Sequence, residues 1–162
     1  FDRYVGEYLT DPGVRCLEDL VSDGRFHPSI ADALHRVLSS GGSADPAYAC
    51  IYVRRDRLRK AILYVMAIHR LDAILYPHQR VLVAKVGESQ LERNGVLSNA
   101  TGFPAVAFPA GFSSPEEHAP QGVPIGMEFL GREFSEGKLL SYVYAFEQLA
   151  GPKVSPYSTP PL

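Results

Sequence analysis

One segment restricts the fold of this chain more than any other: NATGFPAVAFPAGF, from Asn99 to Phe112. Gly102 can take the left-handed conformation that closes a helical turn, and Pro104 confines Phe103 to extended backbone. A short helical turn over Leu97 to Ala100 is therefore predicted to run straight into a strand. Ala105 to Phe108 is apolar and mostly small, which fits a strand covered on both faces. Pro109 cannot donate to a sheet ladder, so together with Gly111 it is expected to end that strand.

The flanking sequence supplies the layers. Asp11 as N-cap and Pro12 as first helical residue introduce Val14, Leu17, Leu20 and Val21, and Gly24 stops this first helix. A second helix is predicted from Pro28, with Ile30, Ala33, Leu34, Val37 and Leu38 at spacings of three and four, ending in Ser39-Ser-Gly-Gly42. Residues 39–46 read as a loop. The longest helix follows, with Ile51, Leu58, Ile62, Val65 and Met66 on one stripe and Arg54, Arg55, Arg57 and Arg59 near its middle. Asp72 to Pro77 is a compact apolar run closed by proline, the pattern of a buried strand, and 78–97 lacks periodicity, as a functional loop does. After a polar connection at 113–122, Val123 to Gly131 alternates like a strand. A last helix is predicted with Leu139, Leu140, Val143, Phe146 and Leu149 on one face, stopped by Gly151 and Pro152. Helices alternating with strands predict an α/β fold in which mixed sheet strands are packed by helices. The expected organisation is one domain over 1–162, mainly helical in 1–71, with the strands and last helix in 72–162.

Composition removes several function classes. A net charge of -2 and a pI near 6.2 offer no basic field for a phosphate backbone, so no nucleic-acid partner is expected. The longest apolar run, 61–68, is far shorter than the ~20 residues of a membrane span, so no membrane partner is expected either. Cys16 and Cys50 form no CxxC pair; they suit a reducing, cytoplasmic setting, and a single disulfide stays open. His27, His35, His69, His78 and His118 lie eight or more positions apart, so neither a metal nor a cofactor is expected. The chain opens on Phe1 without a basic-then-apolar leader, from which a processed chain or a piece of a larger one is expected.

Asn99-x-Thr-Gly-Phe-Pro-Ala105, then Pro-Ala-Gly-Phe112, then Val123-Pro-Ile-Gly-Met-Glu-Phe-Leu-Gly-Arg-x-Phe-x-Glu136 and a helix ending Tyr144-Ala-Phe-Glu-Gln148 resemble the C-terminal block of the amidase signature family. Asp72 to Pro77 is similar to the strand before that family's active-site loop, where Thr often follows the proline; here His78 stands instead. Arg93-Asn94-Gly95 with Leu97-Ser98 resembles one subgroup. The resemblance runs from about residue 11 to the end. It implies an enzyme that hydrolyses amides through a Ser, cis-Ser, Lys triad in a glycine- and serine-rich loop of the family's N-terminal half, which this sequence does not contain. No catalytic residue is therefore expected in this C-terminal portion, which would be inactive alone. The resemblance further implies that Glu92 to Thr101 lines the substrate pocket, with Asn99 or Thr101 bracing it.

Each candidate residue has a plainer role beside its chemical one. SSGGSADP at 39–46 echoes a nucleophile loop, but glycine, serine and Asp-Pro are the ordinary chemistry of a helix connection. Ser135-Glu-Gly-Lys138 has the S-x-x-K form, yet Ser135 falls where the last helix begins and reads as its N-cap. His78 is a candidate pocket residue or base, against a hydrogen-bonded structural histidine. Arg93 and Asn94 could orient a substrate carbonyl or carboxylate, against a solvated surface arginine. Tyr142, Tyr144 and Phe146 have the spacing of core. The expected partner is a small amide in the intact enzyme. The alternative is a noncatalytic binding or scaffold domain that self-associates through uncovered apolar surface.

Overall fold

Six helices and three strands follow one another along the residues described by this computed structural model, which are 1–10, 13–116 and 119–150. They form two compact units, Phe1–Val53 and Arg54–Leu162, whose boundary falls within the longest helix.

The first unit is helical. Helix α1 (Asp2–Tyr8), which no sequence signal announced, buries Val5 and aims Asp2 at the next helix. The Asp2 carboxylate accepts the Leu17 amide at 2.8 Å, so it satisfies a free N–H at the start of α2 (Leu17–Asp23), whose N-cap position, Cys16, makes no side-chain cap bond. The expected capping pair Asp11 and Pro12 lies outside the described residues. Gly24 ends α2 at φ 70°, as its sequence position predicts. Pro28–Ile30 makes a single 3-10 turn leading into α3 (Ala31–Leu38). A second such turn, Gly42–Ala44, occupies part of the segment expected to be pure loop.

Helix α4 (Pro46–Ile68) has 23 residues and is the longest, as expected. Its predicted stripe is covered only in part: Met66 is fully buried and Leu58 and Ile62 are half-buried, but Ile51 and Val65 are exposed. Leu58, Ile62 and Met66 follow one another at spacings of four along a single line, whereas Val65 stands about 100° round the helix from Met66.

The sheet of the second unit contains β1 (Ala73–Pro77), β2 (Ala105–Phe112) and β3 (Pro124–Gly131) in the order β1-β3-β2, with every pairing antiparallel. Helix α5 (Val96–Thr101) precedes β2 and ends at Gly102 with φ 72°, as the opening segment predicts. Two expectations for this sheet are corrected. β2 does not stop at Pro109 but continues to Phe112 through a register shift between Pro109 and Gly111. It can do so because it is an outer strand, where a missing N–H breaks no necessary ladder bond. Its small residues are also not covered on both faces, since Ala105 and Ala107 are exposed. β1 is likewise an outer strand, and Leu75 is half exposed rather than buried.

Helix α6 (Glu136–Ala150) covers the face of the sheet that carries Phe108 and Phe129. The Phe146 ring lies 4.9 Å from Phe108, Tyr142 lies 5.8 Å from Phe129, and the two strand rings stack at 5.1 Å. Leu139 is buried beside them, but Leu140 and Leu149, expected on the same face, are exposed. Leu140 is turned about 100° from Leu139, and Leu149 lies a turn beyond the Phe146 contact. The expected stop at Gly151 and Pro152 is outside the described residues. The opposite face holds Leu130, fully buried, and Glu128.

Two polar fastenings tie these layers. The guanidinium groups of Arg55 and Arg59 both donate to the Thr101 carbonyl, and Arg59 also sits 4.7 Å over the Phe103 ring. Gly102 makes that approach possible, since a Cβ there would lie 2.5 Å from Arg55. Lys138 on α6 pairs with Asp72 at 2.5 Å, which holds the Asp72 carboxyl below its usual range and raises Lys138. Among the described residues no helix is long and apolar enough to cross a membrane.

Candidate functional site

The polar centre of the second unit lies where β1 ends. Tyr76 and His78 are two residues apart in extended chain and so share a face. Glu128 is the register partner of Tyr76, which brings its carboxylate to the same face of the central strand. The Tyr76 hydroxyl donates to one Glu128 oxygen, and the other lies 2.7 Å from His78 Nδ1. Glu128 is 4% exposed, and a carboxylate at that depth costs several kcal/mol unless both oxygens are bonded. Burial, and then the bond to Glu128, hold the Tyr76 hydroxyl well above the usual tyrosine range, so it remains the donor.

The chain after β1 folds back onto this cluster. The His78 carbonyl accepts the amides of Asn94 and Gly95 at 2.9 and 3.2 Å, and Asn94 Nδ2 donates to the Pro77 carbonyl at 3.0 Å. A Cβ on Gly95 would lie 2.0 Å from His78 Cε1, so the imidazole rests directly on glycine backbone. Gln79 bridges to Arg93, and the Arg80 amide reaches the Glu92 carbonyl at 2.9 Å, closing a neck from which 81–91 extends. A cleft of about 930 Å³ opens beside this neck, between 77–83 on one side and 107–109 with 124–126 on the other. Its walls are mainly Val, Leu, Ile, Pro and Phe, and His78 lies at its margin, its side chain 40% exposed.

Of the residues singled out from sequence, His78 lines the cleft and Asn94 is bonded to the strand end beside it. Arg93 lies in the neck, exposed and outside the cleft lining. Asn99 is exposed on α5. Thr101 is fully buried; its hydroxyl donates to the Leu97 carbonyl at 2.7 Å and accepts the Phe103 amide at 3.2 Å, bracing the turn into β2. Sequence reasoning missed Tyr76 and Glu128. A lone carboxylate inside Val123 to Gly131, together with Tyr and His two apart at the end of an apolar run, was the available signal.

The serine candidates are engaged elsewhere. Ser39 and Ser40 donate to carbonyls at the end of α3, Ser39 to His35 at 3.0 Å and Ser40 to Val37 at 2.6 Å. Ser135 donates to the Arg132 carbonyl at 2.6 Å, while Lys138 of the same S-x-x-K segment is paired with Asp72. Ser135 occupies the position before α6, but its hydroxyl turns back to residue 132 rather than forward to the helix. Among the described residues no group of three His, Cys, Asp or Glu side chains is placed to hold a metal ion.

No protein-family model matches the chain. Curated relatives do. The A subunit of glutamyl-tRNA(Gln) amidotransferase from Ectopseudomonas mendocina (strain ymp) is 27% identical over 154 residues, covering 85% of this chain and 30% of that protein. The protein of the same name from Parvibaculum lavamentivorans is 30% identical over 74% of this chain and 24% of its own length. Fatty acid amide hydrolase of Oryza sativa subsp. indica is 32% identical over 60% of this chain and 18% of its own length. A solved structure, the crystal structure of PAM12A, superposes with a TM-score of 0.69 at 26% identity, over 91% of this chain and 30% of that one. The chain thus spans less than a third of the length of these relatives. Its homologues are amidase-signature proteins, and it is to the C-terminal part of such proteins that this chain corresponds.

Proposed function

We propose that this chain is the C-terminal portion of an enzyme that hydrolyses carbon–nitrogen bonds of small amides, supplying scaffold and part of the substrate pocket, and that it is inactive alone. The observation that carries this reading is the likeness to amide-processing relatives across most of this chain but under a third of theirs. The engagement of Ser39, Ser40 and Ser135 by backbone carbonyls supports it, because a nucleophilic hydroxyl needs a base rather than a carbonyl beside it. In this reading His78 and Asn94 face the substrate region, Arg93 reaches it from the neck, and Asn99 and Thr101 keep α5 in place. The free thiols of Cys16 and Cys50 support a cytoplasmic setting. Neither nucleic acid nor a membrane is part of the proposal.

The test is ammonia release from a panel of primary amides by the purified chain. Rates at the buffer level are expected. Sustained hydrolysis that a single Ser or Lys substitution abolishes would overturn the proposal.

A second reading, a noncatalytic scaffold that self-associates, is favoured by the exposure of Leu75 on the outer strand β1 and of Leu140, Tyr144 and Leu149 on α6. Sedimentation velocity separates the two: a monomer at micromolar concentration removes the second reading.

A further inference from the structure

We propose that 80–92 is a preformed flap that turns about Glu92 as one body and closes over the cleft. The motion is a property of the cleft wall and is independent of what the cleft takes.

The flap is tied to itself and not to its surroundings. Among the described residues, 81–91 makes no hydrogen bond or ion pair outside 80–92. Inside that span the Gln90 side chain accepts the Ala84 amide at 2.7 Å and donates to the Leu91 carbonyl at 3.3 Å. The Glu88 amide closes the tip on the Lys85 carbonyl at 3.0 Å. A segment braced in this way keeps its shape while it moves against a firmer base. The base is held from several sides: Glu128 bonds the His78 ring, the ring rests on Gly95, and the Pro77 and His78 carbonyls accept from Asn94.

Glu92 stands at the join between flap and base. Its φ of 55° is in the left-handed region, which a residue with a Cβ occupies at a cost that glycine escapes. Arg80 holds it there, through its amide on the Glu92 carbonyl at 2.9 Å and its guanidinium on the carboxylate at 3.5 Å. Both side chains are more than half exposed, so the ion pair is weak. Releasing these two bonds lets Glu92 return to ordinary backbone, and that change in dihedral angle swings the flap. Val81, Leu82 and Val83 give the flap's side of the cleft and are about half exposed, with Pro109, Pro124 and Ile125 across the opening. Closure takes both apolar surfaces out of water, while the ordering of the chain opposes it. A closed state populated at about 0.1–10% is expected from terms so nearly balanced.

The test is NMR relaxation dispersion on the whole chain, with a nitroxide placed on Val86→Cys in a Cys16→Ser, Cys50→Ser background; Val86 is fully exposed near the flap tip. The amides of 81–91 are expected to exchange at one shared rate on the microsecond-to-millisecond scale, while those of Asn94 and Gly95 do not. The nitroxide should broaden the amides of Ala107 and Ile125 beyond what the open structure's distances produce. Glu92→Gly and Glu92→Ala both lose the ion pair and differ only in their tolerance of the left-handed region. The closed population should therefore be about five- to thirtyfold smaller in the glycine variant. No exchange in 81–91, a different rate at each residue, exchange spreading into Asn94 and Gly95, or no extra broadening across the cleft overturns the flap. Equal closed populations in the two variants overturn the turn about Glu92. If either variant fails to fold, the shared rate and the nitroxide label decide without it.

Discussion

Replacing Tyr76 by Phe removes a single hydroxyl and tests whether Glu128 depends on it. Glu128 is 4% exposed and has two protein partners, the Tyr76 hydroxyl and His78 Nδ1. A hydrogen bond to a charged group contributes about 1.5–3 kcal/mol, and because His78 remains, a loss near the middle of that range, about 2 kcal/mol, is expected. For a chain of this length that is a fall of roughly 4–8 °C in Tm. Urea unfolding at neutral pH, followed by circular dichroism, measures it. The pH dependence carries a further signature. The folded-state pKa of Tyr76 is raised, by burial first and by Glu128 second, so the stability it contributes is complete below the ordinary tyrosine value of about 10. That stability is lost progressively as pH rises from the ordinary value through the higher folded one. The gap between unaltered chain and Tyr76→Phe should therefore hold up to about pH 10 and narrow above it, and spectrophotometric titration should lose its most alkaline step in the variant. A gap under about 0.5 kcal/mol at neutral pH, within the scatter of surface substitutions, would refute the reasoning.

Gly95→Ala should force the His78 ring off Glu128, because the new methyl would stand 2.0 Å from Cε1; a loss of about 1–3 kcal/mol in urea unfolding is expected. Leu130→Ala empties a fully buried site at the centre of the sheet and should cost about 2–5 kcal/mol by the same assay. The Asp72 carboxyl, held low by Lys138, should titrate below about 3.9 by carbon-detected NMR and move upward in Lys138→Met; its stabilising contribution is present above that ordinary value and fades as pH falls through the lower folded one. In an intact parent enzyme, Arg93→Ala should raise KM more than it lowers Tm, and unchanged kinetics would remove Arg93 from the pocket.

The local turns were legible in the sequence because single residues decide them. Gly24 and Gly102 both stop helices in the left-handed conformation where the sequence places them, and the 23-residue α4 stands where its apolar and arginine pattern does. What periodicity cannot show is which turns of an apolar face meet a neighbour, so Ile51, Val65, Leu140 and Leu149 look like core and are exposed. Nor can a proline reveal whether its strand is an outer one. Pro109 reads as a terminator, yet β2 passes through it because β2 pairs only with β3. Of the cluster at the end of β1, His78 and Asn94 stood out in the sequence but Glu128 did not, because its place there depends on the pairing of β1 with β3, between residues 52 positions apart. Asp2 shows the same limit on a smaller scale, capping a helix 15 positions away.

The central question is whether any serine of this chain is an activated nucleophile. Incubation of the purified chain with a fluorophosphonate, which forms a stable adduct with activated serines, followed by intact-mass spectrometry, asks that question directly. An unmodified mass is expected if the nucleophile lies outside this chain; stoichiometric labelling of one serine, lost on unfolding, would contradict that.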